Sequence, residues 1–203
     1  MVDHVDRSVL HEALLIVVLS GVGYLGFINT DRVAGADDER DAVRAMSKLH
    51  VAEGLELHLF AAEPLVRQPV TMTIDRRGRV WVIQYLQYPE PAGLKKISGD
   101  RYDRIRYDRV PEPPPHGPRG ADRVTILEDT DRDGRADKAR DFVSGLNLAS
   151  GLALGHGGVW VLQSPYLLFY PDHDQDDRPD GDPEVRLVGF GLDDAHSVAN
   201  SLQ

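Results

Sequence analysis

Apolar and polar positions change their period twice along this chain, and the changes divide it. Residues 13–28, ALLIVVLSGVGYLGFI, are uncharged and apolar throughout, with no polar face. Between 37 and 50, Ala42, Val43, Ala45, Met46 and Leu49 recur at helical spacing, with Asp37 or Asp38 placed to cap the first turn. From Leu55 the period falls to two. Leu55, Leu57, Leu59 and Ala61 alternate with Glu56, His58 and Phe60, which predicts a half-buried strand ended by Pro64, with His58 on its solvent face.

Two short β-rich runs follow, Val70–Ile74 and Arg79–Ile83, around a turn at Asp75–Gly78. The arrangement returns as Leu152–Leu154, the turn Gly155–Gly158 and Val159–Leu162, again with a Trp (Trp81, Trp160) in the second run. Each hairpin leads to one more strand, an acidic loop and a further strand. These are Val124–Leu127, loop 129–137 and 139–143 in the first unit, then Leu167–Tyr170, loop 172–180 and Glu184–Val188 in the second. Two such units in series predict an all-β chain, a partial β-propeller of about two blades with a third starting at Ala195. A propeller needs roughly four to eight blades to cover its sheet edges, so the same reading expects an incomplete propeller. The domain division is then 1–36 for the leading segment, 37–53 for a short helical lead-in and 54–203 for the blades. Residues 84–123 interrupt the first unit with Tyr85, Tyr88, Tyr102, Tyr107, the basic series Arg101, Arg104, Arg106 and Arg109, and a proline run to Pro115; a loop this long suits a lid or contact surface.

The acidic loops carry the candidate chemistry. Asp129, Asp131, Asp133 and Asp137 occupy the first, third, fifth and ninth positions of one loop; Asp172, Asp174, Asp176 and Asp180 repeat the pattern 43 residues later. Four carboxylates on one short turn repel each other unless a cation lies between them, and alternating Asp oxygens at a turn suit Ca²⁺. The twelfth position is Arg140 in the first loop and Pro183 in the second, so neither supplies the bidentate Glu of an EF-hand. The expectation is therefore Ca²⁺ held by each loop alone, in a structural role.

Charge and composition narrow the partners. The net charge is −10 with pI near 5.2, which argues against nucleic acid. Residues 172–184 alone hold seven acids against one Arg. Cysteine is absent, which excludes disulfides, thiolate catalysis and Cys-ligated metals. The 13–28 run, with small residues at Ala34-Gly35-Ala36, predicts export to the periplasm or cell surface, either by cleavage after Ala36 or with the run kept as a membrane anchor.

Several strings resemble the N-terminal part of the membrane-bound dehydrogenase family related to soluble quinoprotein glucose dehydrogenase. They are Leu59–Leu65, Trp81–Pro89, Arg109–Pro115, Ile126–Asp131, Gly145–Gly158, Tyr166–Pro171 and Asp194–Gln203, covering about residues 50–203. The family's dehydrogenase name is itself an inference from fold similarity. The resemblance implies a propeller in an exported protein, pyrroloquinoline quinone as cofactor, a sugar or polyol substrate and a cytochrome-type electron acceptor. It also implies that His196, ahead of Leu202, is the base that takes the substrate hydroxyl proton, with Asp193 or Asp194 orienting it. The spacing is one residue off, and the Gly-Pro-Asp-Gly turn of the quinoproteins is not reached. The competing expectation is a non-catalytic, Ca²⁺-stabilised propeller that binds glycan or protein. His156 in the Gly-rich turn reads as structural.

Overall fold

The computed structural model describes residues 42–101, 104–194 and 198–202. β1 (Pro69–Ile74) turns back into β2 (Val80–Gln84), with Ile74 opposite Val80. The turn is made by Asp75, whose Oδ1 accepts the N–H groups of Arg77 and Arg79, and by Gly78 at φ +79°. The chain then leaves for the insertion, which contains its own hairpin of β3 (Lys96–Gly99) and β4 (Ile105–Tyr107). It returns as β5 (Asp122–Glu128) beside β2 and, past the first acidic loop, β6 (Lys138–Leu146) beside β5. The second sheet is β7 (Ala149–Leu154), β8 (Gly158–Gln163), β9 (Tyr166–Pro171) and β10 (Glu184–Val188), each antiparallel to the one before. The protein is thus all-β: two four-stranded antiparallel meanders, β1-β2-β5-β6 and β7-β8-β9-β10, and one small hairpin.

Period two explains how the sheets meet. Trp81, Ile83, Val124, Ile126, Phe142 and Leu146 face Leu152, Val159, Val161, Tyr166, Leu168 and Tyr170 in one buried core, and β1 and β2 lie beside β7. Phe142 bridges the sheets, its ring 5.2 Å from Trp81 and 6.4 Å from Tyr170. Burying a side chain such as Leu168 or Val161 contributes about 1.5–3 kcal/mol each, so this one face supplies much of the driving force. Gly158 opens β8 because a Cβ there would lie 2.3 Å from the Tyr170 carbonyl oxygen and 2.7 Å from the Phe169 ring.

The other face of the first sheet is closed differently from the sequence expectation. Residues 55–61 form no strand; Leu59, Phe60 and Ala61 are buried in succession, and Phe60 and Ala61 pack with Val66 on Val80, Val82 and Leu127. A plug buries consecutive residues because it has no partner strand to enforce alternation; Phe60 O accepts only the Ala136 N–H. His58 is exposed as expected, 3.3 Å from Glu56. The helical lead-in appears as residues 42–46. The apolar run 13–28 lies outside the described residues, and among those described no helix is long and apolar enough to cross a membrane. The third unit expected from Ala195 begins outside the described residues; residues 198–202 carry no strand, and the Leu202 side chain sits against Gly151.

The insertion is tied to the sheets. Asp122 accepts the N–H of Gln87 at 2.6 Å and of Ala149 at 2.9 Å, while Asn147 exchanges two hydrogen bonds with the Ala92 backbone. Tyr166 donates its hydroxyl to the Pro111 carbonyl at 2.6 Å.

Candidate functional site

Meander topology puts β1–β2, β5–β6, β7–β8 and β9–β10 connections at one end of the two sheets. Both acidic loops therefore share an end with the turns 75–78 and 155–158. In the first loop Asp129 closes the turn. Its Oδ1 accepts the N–H of Arg132 at 2.6 Å and of Asp133 at 3.2 Å, and its Oδ2 accepts Gly134 N–H at 2.9 Å. Burial opposes its charge, but these backbone donors outweigh it and hold the carboxyl below its ordinary range. Asp137 accepts from Thr130 N–H and Oγ1, and Asp133 Oδ1 accepts Arg135 N–H at 2.8 Å. Oxygens of Asp129, Asp131 and Asp137 lie within 4.8 Å of one another, while Asp133 is not in that group.

The second loop differs although its spacing is the same. The oxygens gathered within 4.8 Å belong to Asp172, Asp174 and Asp176. Asp180 stands apart, taking the His173 N–H at 2.8 Å and His173 Nδ1 at 2.7 Å. Asp172 is 6% exposed and its Oδ1 is buried without a hydrogen-bond partner. Burial, then the nearby Asp177 charge, pushes its carboxyl upward. Three converging carboxylates, one of them buried and unsatisfied, fit a hard divalent cation with oxygen ligands.

Asp177 stands where the first loop has Gly134, and it faces the first sheet. Arg79 donates Nη1 and Nη2 to its two oxygens, both at 2.7 Å, and Arg140 bonds it as well. These arginines, Arg79 first, hold the Asp177 carboxyl low. Arg79 also reaches Asp75, whose Oδ2 takes the Trp81 indole N–H at 3.1 Å. Between these groups and the turn 155–158 lies an open cavity of about 400 Å³, bordered by Arg77, His156, Asp172 and Gln175. His156, at φ +56°, edges onto Trp160 at 6.3 Å and forms part of that wall.

His196 lies outside the described residues; the described residues on either side of 195–197 are Asp194 and Val198. The Asp193 carbonyl accepts Ile105 N–H at 2.5 Å and the Ala199 carbonyl accepts the Ser150 hydroxyl at 2.6 Å. Ser150 opens β7 and Ile105 belongs to the insertion, so both flanks lie at the end opposite the acidic loops. Sequence reasoning missed Arg79, Arg140 and Asp177 as a bonded group. The signal was present: Asp177 breaks the likeness between the loops by replacing the turn Gly.

The family model described as domain of unknown function (DUF7133) matches residues 41–203, and the chain belongs to that family. No curated protein and no solved structure matches it.

Proposed function

We propose that this family domain forms the first blades of a Ca²⁺-stabilised β-propeller whose acidic-loop end binds the cation and whose opposite end serves a substrate. The observation that carries the reading is the separation itself. Two successive meanders bring their first strands together, gather six carboxylates at one end, and lead the insertion and the flanks of residues 195–197 to the other. Adjacent packed four-stranded meanders are what propeller blades are made of.

At the substrate end, the resemblance through Asp194–Gln203 supports oxidation of a sugar or polyol. Pyrroloquinoline quinone, when bound, would accept the hydride from the carbinol carbon, and His196 would take the hydroxyl proton. Export, by cleavage or with residues 13–28 as an anchor, would place the Asp loops where Ca²⁺ is abundant, and a cytochrome-type module would take the electrons. The cation is supported by the buried, unpartnered Asp172 oxygen; the quinone is supported by the resemblance alone. The test is dye reduction with quinone, Ca²⁺ and a polyol panel, in wild type and His196→Gln. Quinone-dependent reduction lost in the variant supports the reading, and no reduction with any substrate removes it.

The second reading, a non-catalytic propeller that binds glycan or protein, is favoured by the aromatic surface of the insertion. Tyr88 is 42% exposed and its ring is 5.6 Å from that of Tyr85. Glycan binding that survives His196→Gln and fails in Tyr88→Ala selects this reading.

A further inference from the structure

The repeated loops look interchangeable in sequence, yet their carboxylates are used differently. In the first loop the leading carboxylate, Asp129, accepts three backbone N–H groups and its two oxygens are both engaged. The carboxylates around the leading position are matched in the two loops: Asp131 and Asp174 each take the N–H two residues on at 3.3 Å, and Asp137 takes the Thr130 hydroxyl as Asp180 takes His173, each at 2.7 Å, so the loops differ at Asp129 and Asp172. At Asp129 backbone donors do part of what a cation would do. In the second loop, Asp172 is more than nine-tenths buried, has an oxygen with no donor, and converges with Asp174 and Asp176. The charges are not relieved from the first sheet either. Arg79 and Arg140 reach Asp177, and Arg76 bonds the Gln175 side chain.

We propose that the two loops are unequal cation sites: Asp172, Asp174 and Asp176 form the tighter Ca²⁺ site, and its occupation braces the contact between the sheets through Asp177 and Arg79. This rests on the reading that the acidic loops take a divalent cation, and adds which loop binds first and what binding does. A buried carboxylate with one unsatisfied oxygen gains most from a cation, because its desolvation has already occurred and that oxygen gives up no hydrogen bond. Asp177 follows Asp176 directly, so a cation that fixes Asp176 also fixes the carboxylate that Arg79 holds at 2.7 Å. In the first loop the corresponding residue is Gly134, which has no side chain to carry such a link.

The experiment is calorimetric titration of the metal-stripped chain with CaCl₂ alone, with thermal melts of the same samples, on wild type, Asp172→Asn and Asp129→Asn. Wild type is expected to show a tighter and a weaker step. Asp172→Asn should weaken the tighter step at least tenfold and abolish most of the Ca²⁺-induced rise in melting temperature; Asp129→Asn should keep the tighter step and most of that rise and lose the weaker step. Near-ultraviolet dichroism of Trp81 and Trp160 reports whether each variant is folded. Asp174→Asn, an exposed position, repeats the test should Asp172→Asn fail to fold. Two equal steps, or a tighter step lost in Asp129→Asn, overturn the inequality and leave Ca²⁺ binding standing. No heat and no shift in wild type overturn both.

Discussion

Replacing Arg79 with Met would leave Asp177 at 10% side-chain exposure with only Arg140 and the more distant Arg77 for company. Removing one partner of a buried ion pair costs about 3–5 kcal/mol, and the remaining arginines place the expected loss near the lower end. Urea unfolding should therefore show a loss of about 3 kcal/mol, within that same range; a change under about 0.5 kcal/mol, the size of a neutral surface substitution, would mean the pair does not hold the sheets. Asp122 gives a pH-dependent counterpart. It is fully buried, and burial outweighs the N–H donors of Gln87 and Ala149 to push its carboxyl up to about 6. A carboxyl raised above its unfolded value binds more protons when folded. Its contribution is thus fully present below about pH 4 and is lost as pH rises through about 6. Carboxyl NMR should find a midpoint near 6 that is absent in Asp122→Asn. A midpoint at the ordinary Asp value would show that the N–H donors prevail.

At the scale of elements, the two sheets depend on one aromatic bridge and one missing Cβ. Phe142→Ala, which separates Trp81 from Tyr170, should cost about 3–5 kcal/mol. Gly158→Ala should also destabilise, because a Cβ 2.3 Å from the Tyr170 backbone oxygen meets no flexible atom that could yield. A melt of Gly158→Ala equal to wild type would contradict that packing. The hairpins around 75–78 and 155–158 were legible because period-two runs flank a Gly-containing turn, and the structure keeps both. Residues 55–61 have the same alternation and no strand. Nothing in a single strand's pattern tells whether a neighbour exists to pair with it, and here the consecutive residues Phe60 and Ala61 turn inward together as a plug. The loops were legible as acidic and repeated. Their inequality was not, because it depends on backbone donors engaging both oxygens of Asp129 while one Asp172 oxygen is buried without a donor, which spacing does not encode.

At the scale of the whole molecule, a sequence repeat underlies the proposed division of labour. The same topology that sets both acidic loops at one end carries the insertion, with Asp193 beside Ile105 and Ala199 beside Ser150, to the other. On the proposed reading a cation would brace the scaffold, away from the chemistry proposed at the substrate end. Calcium should therefore act on stability before it acts on any reaction, since a ligand that binds only the folded state stabilises it by mass action. The direct test is the melting temperature of the chain in excess chelator and in millimolar Ca²⁺ at constant ionic strength. The account predicts a clear rise with Ca²⁺ that saturates and is reversed by chelator. Identical melting curves in the two conditions would contradict it.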